Sequence, residues 1–151
     1  MEKNKLRDAA IGVGDITFQL LTSCQEKEER FAKRLQISRP EFRCLRCFRS
    51  DRQLNIKEII ERMHLSGSRL TRILDELERK GYIIRAFDPK DRRSSTVTLT
   101  NKGLELVQKI EKNYIEIHEE ILKGVPEEMH EPLIKGMIRL ASSLNSWLKK
   151  S

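Results

Sequence analysis

Residues 55–81 are NIKEIIERMHLSGSRLTRILDELERKG, and this stretch decides the predicted fold. Asn55 can cap a first helix, barely two turns long, that ends at Met63. Ser66 can cap a second helix that ends where Gly81 supplies a C-terminal stop. The residues predicted to face inward are Ile56, Ile59, Ile60, Met63, Leu70, Ile73, Leu74 and Leu77. Two short helices with a tight join indicate a helix-turn-helix.

The outer face of the second helix of this pair carries small and basic side chains in its first two turns. In a helix-turn-helix this helix enters the DNA major groove, and its N-terminal dipole also favours phosphate. Asp75, Glu76 and Glu78 would repel phosphates, so the N-terminal half must face the duplex. The predicted DNA-contacting residues are Ser66, Ser68, Arg69, Thr71 and Arg72. The alternative is a solvated helix of mixed charge.

Two β-rich runs follow the helix pair. Tyr82–Phe87 and Thr96–Thr100 flank a turn-forming basic segment, which predicts a β-hairpin with a charged loop. Arginine on a narrow projecting hairpin suits the negative potential of the DNA minor groove. The loop residues predicted to contact DNA are Lys90, Arg92 and Arg93. Asp91 is predicted to brace one of these arginines by pairing with it.

The positive charge is concentrated in the middle of the chain. The net charge is +7, and residues 38–100 hold 15 Lys and Arg against 9 Asp and Glu. Residues 1–37 hold 7 basic against 6 acidic side chains, and residues 101–151 hold 8 against 8. This distribution is typical of a phosphate-binding module between two nearly neutral ends.

Both ends of the chain predict long amphipathic helices. Apolar residues recur at helical spacing through residues 9–35, and Pro40 prevents a continuation. Two further apolar stripes flank Gly124-Val125-Pro126, with spacings of four and three that suit packing against another helix. The predicted dimerisation residues are Leu133, Met137, Leu140, Leu144 and Trp147. The apolar area of these terminal helices is larger than the small central region of the chain can bury. This favours a homodimer over a monomeric bundle.

The predicted fold class is mainly α with a small β-hairpin wing. Residues 1–37 would form the N-terminal helix of a dimerisation region, and residues 38–100 a winged helix-turn-helix lobe. That lobe opens with a short helix capped by Ser38. Residues 101–151 would add C-terminal dimerisation helices, and the whole chain would be one structural unit.

Three segments in series resemble the MarR family of bacterial and archaeal transcriptional regulators, which have a winged helix-turn-helix. These segments are LDELERKGYIIR at residues 74–85, Asp91-Arg92-Arg93, and VTLTNKG at residues 97–103. The resemblance covers nearly the whole chain. It implies a homodimer that binds a roughly palindromic operator on double-stranded DNA. It also implies that a small ligand or oxidation relieves repression.

The resemblance leaves the effector unidentified. Family members that sense organic peroxides carry a reactive cysteine before a Phe in the first helix, but here Thr17 precedes Phe18. Leu21 stands where those members have a tyrosine. Zinc-responsive members use a cluster of His, Glu and Cys, whereas the histidines here are scattered at His64, His118 and His130. Aromatic ligands would lie in the crevice between the helical and winged lobes, and no residue identifies one.

Cys44 and Cys47 form a Cys-x-x-Cys pair on a predicted helix. A structural zinc site needs four ligands, and neither a second pair nor a nearby histidine accompanies this one. We therefore interpret both as small core residues. The alternative is that the pair senses redox state or a metal, with or without Cys24.

Other classes of protein fit the sequence less well. Motifs such as a Gly-rich phosphate loop, Gly-x-Ser-x-Gly or His-Glu-x-x-His are absent, so we expect no enzyme and no cofactor. Neither a spanning segment nor a signal-peptide core is found, and an odd cysteine count suits a reducing compartment, so we expect a cytoplasmic protein without a membrane partner. The remaining alternatives are an architectural DNA-binding protein and a winged-helix protein–protein adaptor, both without an effector.

Overall fold

The computed structural model describes residues 2–91 and 94–150, and side chains from residue 4 onward within those ranges. In chain order its elements are α1 (Glu2–Arg34), α2 (Arg39–Arg46), β1 (Gln53–Asn55), α3 (Ile56–Met63), α4 (Gly67–Arg79), β2 (Ile83–Ala86), β3 (Thr96–Leu99), α5 (Asn101–Leu122) and α6 (Glu127–Leu148). This mainly helical architecture with a small antiparallel sheet confirms the predicted fold class. Within the described ranges, no helix is both long and apolar enough to cross a membrane.

Internal contacts divide the chain into two units, one ending at Ile110 and the other beginning at Glu111. The first unit contains the helix-turn-helix and the sheet, together with the beginning of α5. The second contains the end of α5 and α6. The predicted division at residues 37 and 100 stays a prediction.

Ser38 begins α2 with a capping box. The Ser38 hydroxyl accepts a hydrogen bond from the Glu41 backbone N–H at 3.3 Å, and the Glu41 carboxylate accepts one from the Ser38 N–H. This exchange satisfies two N–H groups that the start of a helix leaves without partners. Phe42 and Leu45 are buried on the inner side of α2, and Phe48 is buried just beyond its end.

A second capping box begins α3. The Asn55 side chain accepts from the Glu58 N–H at 2.7 Å, and the Glu58 carboxylate accepts from the Asn55 N–H at 2.8 Å. The bounds of α3 match the predicted ones to the residue. Of its predicted core positions, Ile59 is fully buried, whereas the others are half-buried.

Helix α4 differs from its prediction at the N-terminus. Ser66 occupies the capping position, but its hydroxyl makes no capping hydrogen bond and lies 3.3 Å from the Ser68 hydroxyl. The inward residues Leu70, Leu74 and Leu77 are buried, and Ile73 is half-buried. Gly81 follows the helix with φ at +79°, a conformation that glycine adopts at little cost.

The sheet has three strands rather than the two of the predicted hairpin. Strand β3 lies in the centre, with β2 on one side and β1 on the other, all antiparallel. Gln53 of β1 lies opposite Thr98, and Asn55 lies opposite Thr96. Strand β1 therefore ends on the side of the sheet where the loop between β2 and β3 projects.

Gly103 lies where the beginning of α5 meets the turn after α4. Its N–H donates to the Thr100 hydroxyl at 3.0 Å, and that hydroxyl donates to the Gly81 carbonyl at 2.7 Å. A Cβ on Gly103 would lie 2.9 Å from the Tyr82 carbonyl carbon and nearer still to its oxygen. Only a residue without a side chain fits this close approach.

Large apolar side chains remain exposed on α1 and on α6, each taken by itself. In α1 they are Leu6, Ile11, Val13, Ile16, Phe18, Leu20 and Leu21. In α6 they include the five predicted dimerisation residues, Leu133, Met137, Leu140, Leu144 and Trp147, whose exposed fractions run from 40% to 62%. No described residue of α6 is buried.

Candidate nucleic-acid interface

The N-terminal half of α4 presents its predicted residues to solvent. Ser66, Ser68, Arg69, Thr71 and Arg72 are all exposed. The Thr71 hydroxyl donates to the Gly67 carbonyl at 3.0 Å, which leaves its oxygen able to accept a further hydrogen bond. The first turn of α4 contains no acidic residue, and its positive dipole end is therefore unopposed.

Two arginines of α2 extend this basic surface. Arg69 and Arg72 line a cavity of about 470 Å³ together with Arg39 and Arg43. Sequence reasoning placed neither Arg39 nor Arg43 at the interface. The available signal was their spacing of four residues at the start of α2, which puts both side chains on one face of that helix.

The acidic half of α4 is held by a strand of the wing. The Arg85 guanidinium donates to Asp75 and to Glu78, each at 2.7 Å, and only 11% of the Arg85 side chain is exposed. Hydrogen bonds from Arg85 hold the pKa of the Glu78 carboxyl below its ordinary value. Two of the three carboxylates expected to repel phosphate are thus paired with β2. The third, Glu76, pairs with Arg79 at 2.7 Å.

Asp88 organises the beginning of the wing loop. Its carboxylate accepts from the Lys90 N–H and from the Ser94 hydroxyl, both at 2.8 Å, and these bonds lower the pKa of Asp88. Lys90 is exposed, as a DNA contact requires. Arg92 and Arg93 lie outside the described residues, so the brace by Asp91 stays a prediction. Sequence reasoning missed Asp88, although Asp before Pro is a frequent turn signal.

The three cysteines lie in different environments. Cys44 is fully buried, and burial raises the pKa of its thiol far above the ordinary value. Cys47 is half-buried and donates to the Arg43 carbonyl at 3.3 Å, so it is less enclosed than the core position predicted for it. Burial also raises the pKa of Cys47, despite the opposing effect of nearby arginines. Cys24 is exposed on α1, and no group of His, Cys, Asp and Glu in the described part of the chain could hold a metal ion.

These environments predict the order in which the cysteines react. We expect iodoacetamide to modify Cys24 readily in the native protein and Cys44 only after unfolding, since a buried, protonated thiol is a poor nucleophile. Mass spectrometry of peptides from native and denatured samples measures this. Rapid native labelling of Cys44 would contradict its assignment to the core.

Comparisons with known proteins agree with this geometry. Residues 37–95 match the model of the MarR family. The HTH-type transcriptional regulator SarZ of Staphylococcus aureus is 32% identical over 78 residues, which cover 52% of this chain and 53% of SarZ. The chain thus spans about half the length of the curated relatives that it matches.

Solved structures share the fold over a longer part of the chain. The MepR–DNA complex of S. aureus superposes with a TM-score of 0.71 at 22% identity, covering 86% of this chain and 96% of MepR. FabT of Streptococcus pneumoniae in complex with DNA gives 0.76 at 23% identity, covering 89% and 96% of the two chains. Residues 37–95, which hold the helix pair and most of the wing, are therefore similar in sequence to the MarR family, and the fold around them is the MarR-like winged-helix fold.

Proposed function

We propose that this protein is a sequence-specific DNA-binding transcriptional regulator that acts as a homodimeric repressor and is released by a small effector. The observation that carries the DNA-binding part is the division of α4. Its acidic half is paired with Arg85 and Arg79, while the basic half from Ser66 to Arg72 is exposed. MepR and FabT, which share the fold, were both solved in complex with DNA. SarZ, which is similar in sequence over about half of its length, is an HTH-type transcriptional regulator.

The exposed apolar faces of α1 and α6 support the homodimer. Side chains such as Leu144 and Trp147 are more than half exposed, which a soluble monomer rarely allows over so long a helix. A two-fold dimer would place two α4 helices against successive major grooves, so the operator would be roughly palindromic. Repression and release by an effector rest on the resemblance to the MarR family. We propose the cytoplasm as its location, because regulators of bacterial and archaeal genes act on a chromosome that lies there.

The second candidate is an architectural DNA-binding protein, which the basic surface alone would also suit. A footprint on host genomic fragments separates the two functions. A regulator protects one short symmetrical site, whereas an architectural protein coats DNA broadly. A winged-helix adaptor would protect none.

Arg72→Ala is the direct test of base recognition by α4. We expect it to relax base preference at one operator position and to cost about 1 to 3 kcal/mol, because a bidentate contact to guanine would be lost. Binding titrations against operator variants measure this. Arg79→Ala is the matched control on the same helix, since Arg79 pairs with Glu76 outside the basic half. Equal losses on every sequence would show that Arg72 contacts only phosphate.

Arg93→Ala tests the wing separately. If Arg93 occupies the minor groove, its loss should weaken binding most at sites with a narrow groove and reduce the salt slope by about one counterion. Titrations at several salt concentrations, on operators with and without an A-tract under the wing, measure both effects. An unchanged salt slope would remove Arg93 from the interface.

A further inference from the structure

Four arginines line the cavity of about 470 Å³ where α2 and α4 meet the end of α3, and no carboxylate belongs to its described lining. We term this cavity the arginine notch. Its arginines are Arg39, Arg43, Arg69 and Arg72. The rest of the described lining is apolar and consists of Pro40, Met63, Leu65 and Ile73. Apolar walls lower the effective dielectric constant, so an anion in the notch would be attracted more strongly than on an open surface.

The guanidinium groups of the notch are available to a ligand. Among the carboxylates that the structure describes, none forms an ion pair with Arg39, Arg69 or Arg72. Arg43 lies 3.7 Å from Glu28 of α1, and 59% of its side chain is exposed. This distance exceeds the roughly 2.7 to 2.9 Å of a strong charge-assisted hydrogen bond. Arg43 can therefore exchange Glu28 for another anion.

A buried ion pair holds α2 against the end of α4. Lys80, the residue after α4, donates to both oxygens of the Glu41 carboxylate, at 2.8 and 2.9 Å, and only 4% of the Glu41 side chain is exposed. Glu41 lies two residues after Arg39 and two before Arg43. The pairing with Lys80 offsets the negative charge of α2. It also fixes the backbone from which both arginines extend, so less ordering is needed when they bind an anion.

The arginine notch adjoins the surface of α4 that is proposed to contact bases. At about 100° per residue, Arg72 lies about 160° around α4 from the buried Leu70, whereas Arg69 lies about 100° from it on the side of α2. Thr71 lies about 100° from Leu70 on the opposite side, where it shares a cavity with Arg85 of β2. A helix in the major groove has a phosphate backbone on each side. The notch would therefore face the backbone on the side away from the wing.

We propose that Arg39 and Arg43 bind phosphates of the DNA backbone at the edge of the major groove, and that Glu28 competes with a phosphate for Arg43. Both parts rest on the proposed DNA-binding function. Guanidinium groups match phosphate oxygens with paired hydrogen bonds, and the continuity of the notch with α4 favours the phosphates of a bound duplex over a free phosphate. Phosphate contacts fix the register of a protein on DNA without reading its sequence. The two arginines would thus position α4, while Arg72 would read bases.

Arg39→Gln and Arg43→Gln test the phosphate contacts. The probes are the duplex protected in the footprint and a duplex of the same length and composition with a scrambled sequence, each titrated at several salt concentrations. We expect each variant to bind both duplexes about fivefold more weakly at about 0.15 M salt and to reduce the salt slope by about one counterion, since one phosphate would keep its counterion. Arg30→Gln is the matched control, because Arg30 of α1 is paired with Glu26. It should leave the salt slope unchanged.

Glu28→Gln tests the competition for Arg43, with an effect of opposite sign. We expect it to strengthen the binding of both duplexes by up to about fivefold, the upper end of what an exposed ion pair contributes. In the Arg43→Gln background the same substitution should give no gain. Glu29→Gln is the matched control, since Glu29 is exposed on the same helix and does not pair with Arg43. Equal gains from the two glutamate substitutions would show a general effect of charge and overturn the competition.

The outcomes separate this inference from the proposed function. If the parent protein binds the footprint duplex, and Arg39→Gln and Arg43→Gln leave its affinity and salt slope unchanged, only the phosphate contacts are overturned. A loss confined to the footprint duplex would mean that these arginines contact bases, which also contradicts the inference. A parent protein that binds neither duplex would overturn the proposed function as well. Calorimetric titration with pyrophosphate is the last arm: saturable binding that Arg39→Gln abolishes, with unchanged DNA affinity, would assign the notch to a free phosphate ligand instead.

Discussion

Leu144→Glu is expected to convert the proposed dimer into monomers and to lower operator affinity by about a hundredfold or more, because two linked half-site contacts become independent. Leu144 is 51% exposed in the chain by itself and lies within the apolar stripe of α6. A carboxylate there would have to be buried without a partner in any interface that this stripe forms. Sedimentation velocity measures the oligomeric state, and a titration with the full operator measures the affinity.

Ser146→Glu is the matched control for this charge. Ser146 is exposed, lies two residues further along α6, and is about 200° around the helix from Leu144. We expect it to leave both the oligomeric state and DNA affinity unchanged. A Leu144→Glu protein that stays dimeric would show that this stripe is not the interface.

Gly103→Ala is expected to destabilise the fold by about 3 kcal/mol, since the added methyl group would collide with backbone rather than with a movable side chain. The collision partner is the Tyr82 carbonyl, which also accepts a hydrogen bond from the Thr100 N–H at 3.0 Å. Relief would require the beginning of α5 to move away from the turn after α4. Thermal and urea unfolding measure the loss.

Gly14→Ala provides the comparison at an open position. A Cβ on Gly14 would meet nothing within 4 Å, and α1 is helical there. Alanine should therefore be neutral or stabilising by up to about 1 kcal/mol. If Gly103→Ala were as stable as Gly14→Ala, the close approach to Tyr82 would not be a constraint on the fold.

The sequence predicts those elements whose determinants are close together in the chain. Ser38 and Asn55 each have a glutamate three residues later, so both helix starts follow from local hydrogen bonding. Strand β1 was missed because three residues are too few for an alternating pattern. It forms because β3, more than forty residues later, supplies its hydrogen-bond partners.

Part of the candidate interface was also predictable, because the residues that form it lie close together in the chain. Five residues within two turns of α4 define the basic surface, and the structure exposes all five. The pairing of Arg85 with Asp75 and Glu78 joins a strand to a helix, and the pairing of Arg62 with Asp51 joins α3 to the segment before β1. Such pairs depend on tertiary packing. The spacing of apolar residues within one segment does not predict which segments pack together.

The pairing of Arg85 with α4 fixes the position of the wing relative to α4. It therefore also fixes the distance along the duplex between the minor-groove and major-groove contacts that each protomer would make. Since β2 leads directly into the wing loop, the helix and the wing cannot slide independently along a duplex while Arg85 holds Asp75 and Glu78. One inserted base pair lengthens B-DNA by about 3.4 Å and rotates it by about a tenth of a turn. An operator lengthened by one base pair between its major-groove and minor-groove elements would therefore lose one of the two contacts, whereas one lengthened at its centre would change only the spacing between protomers.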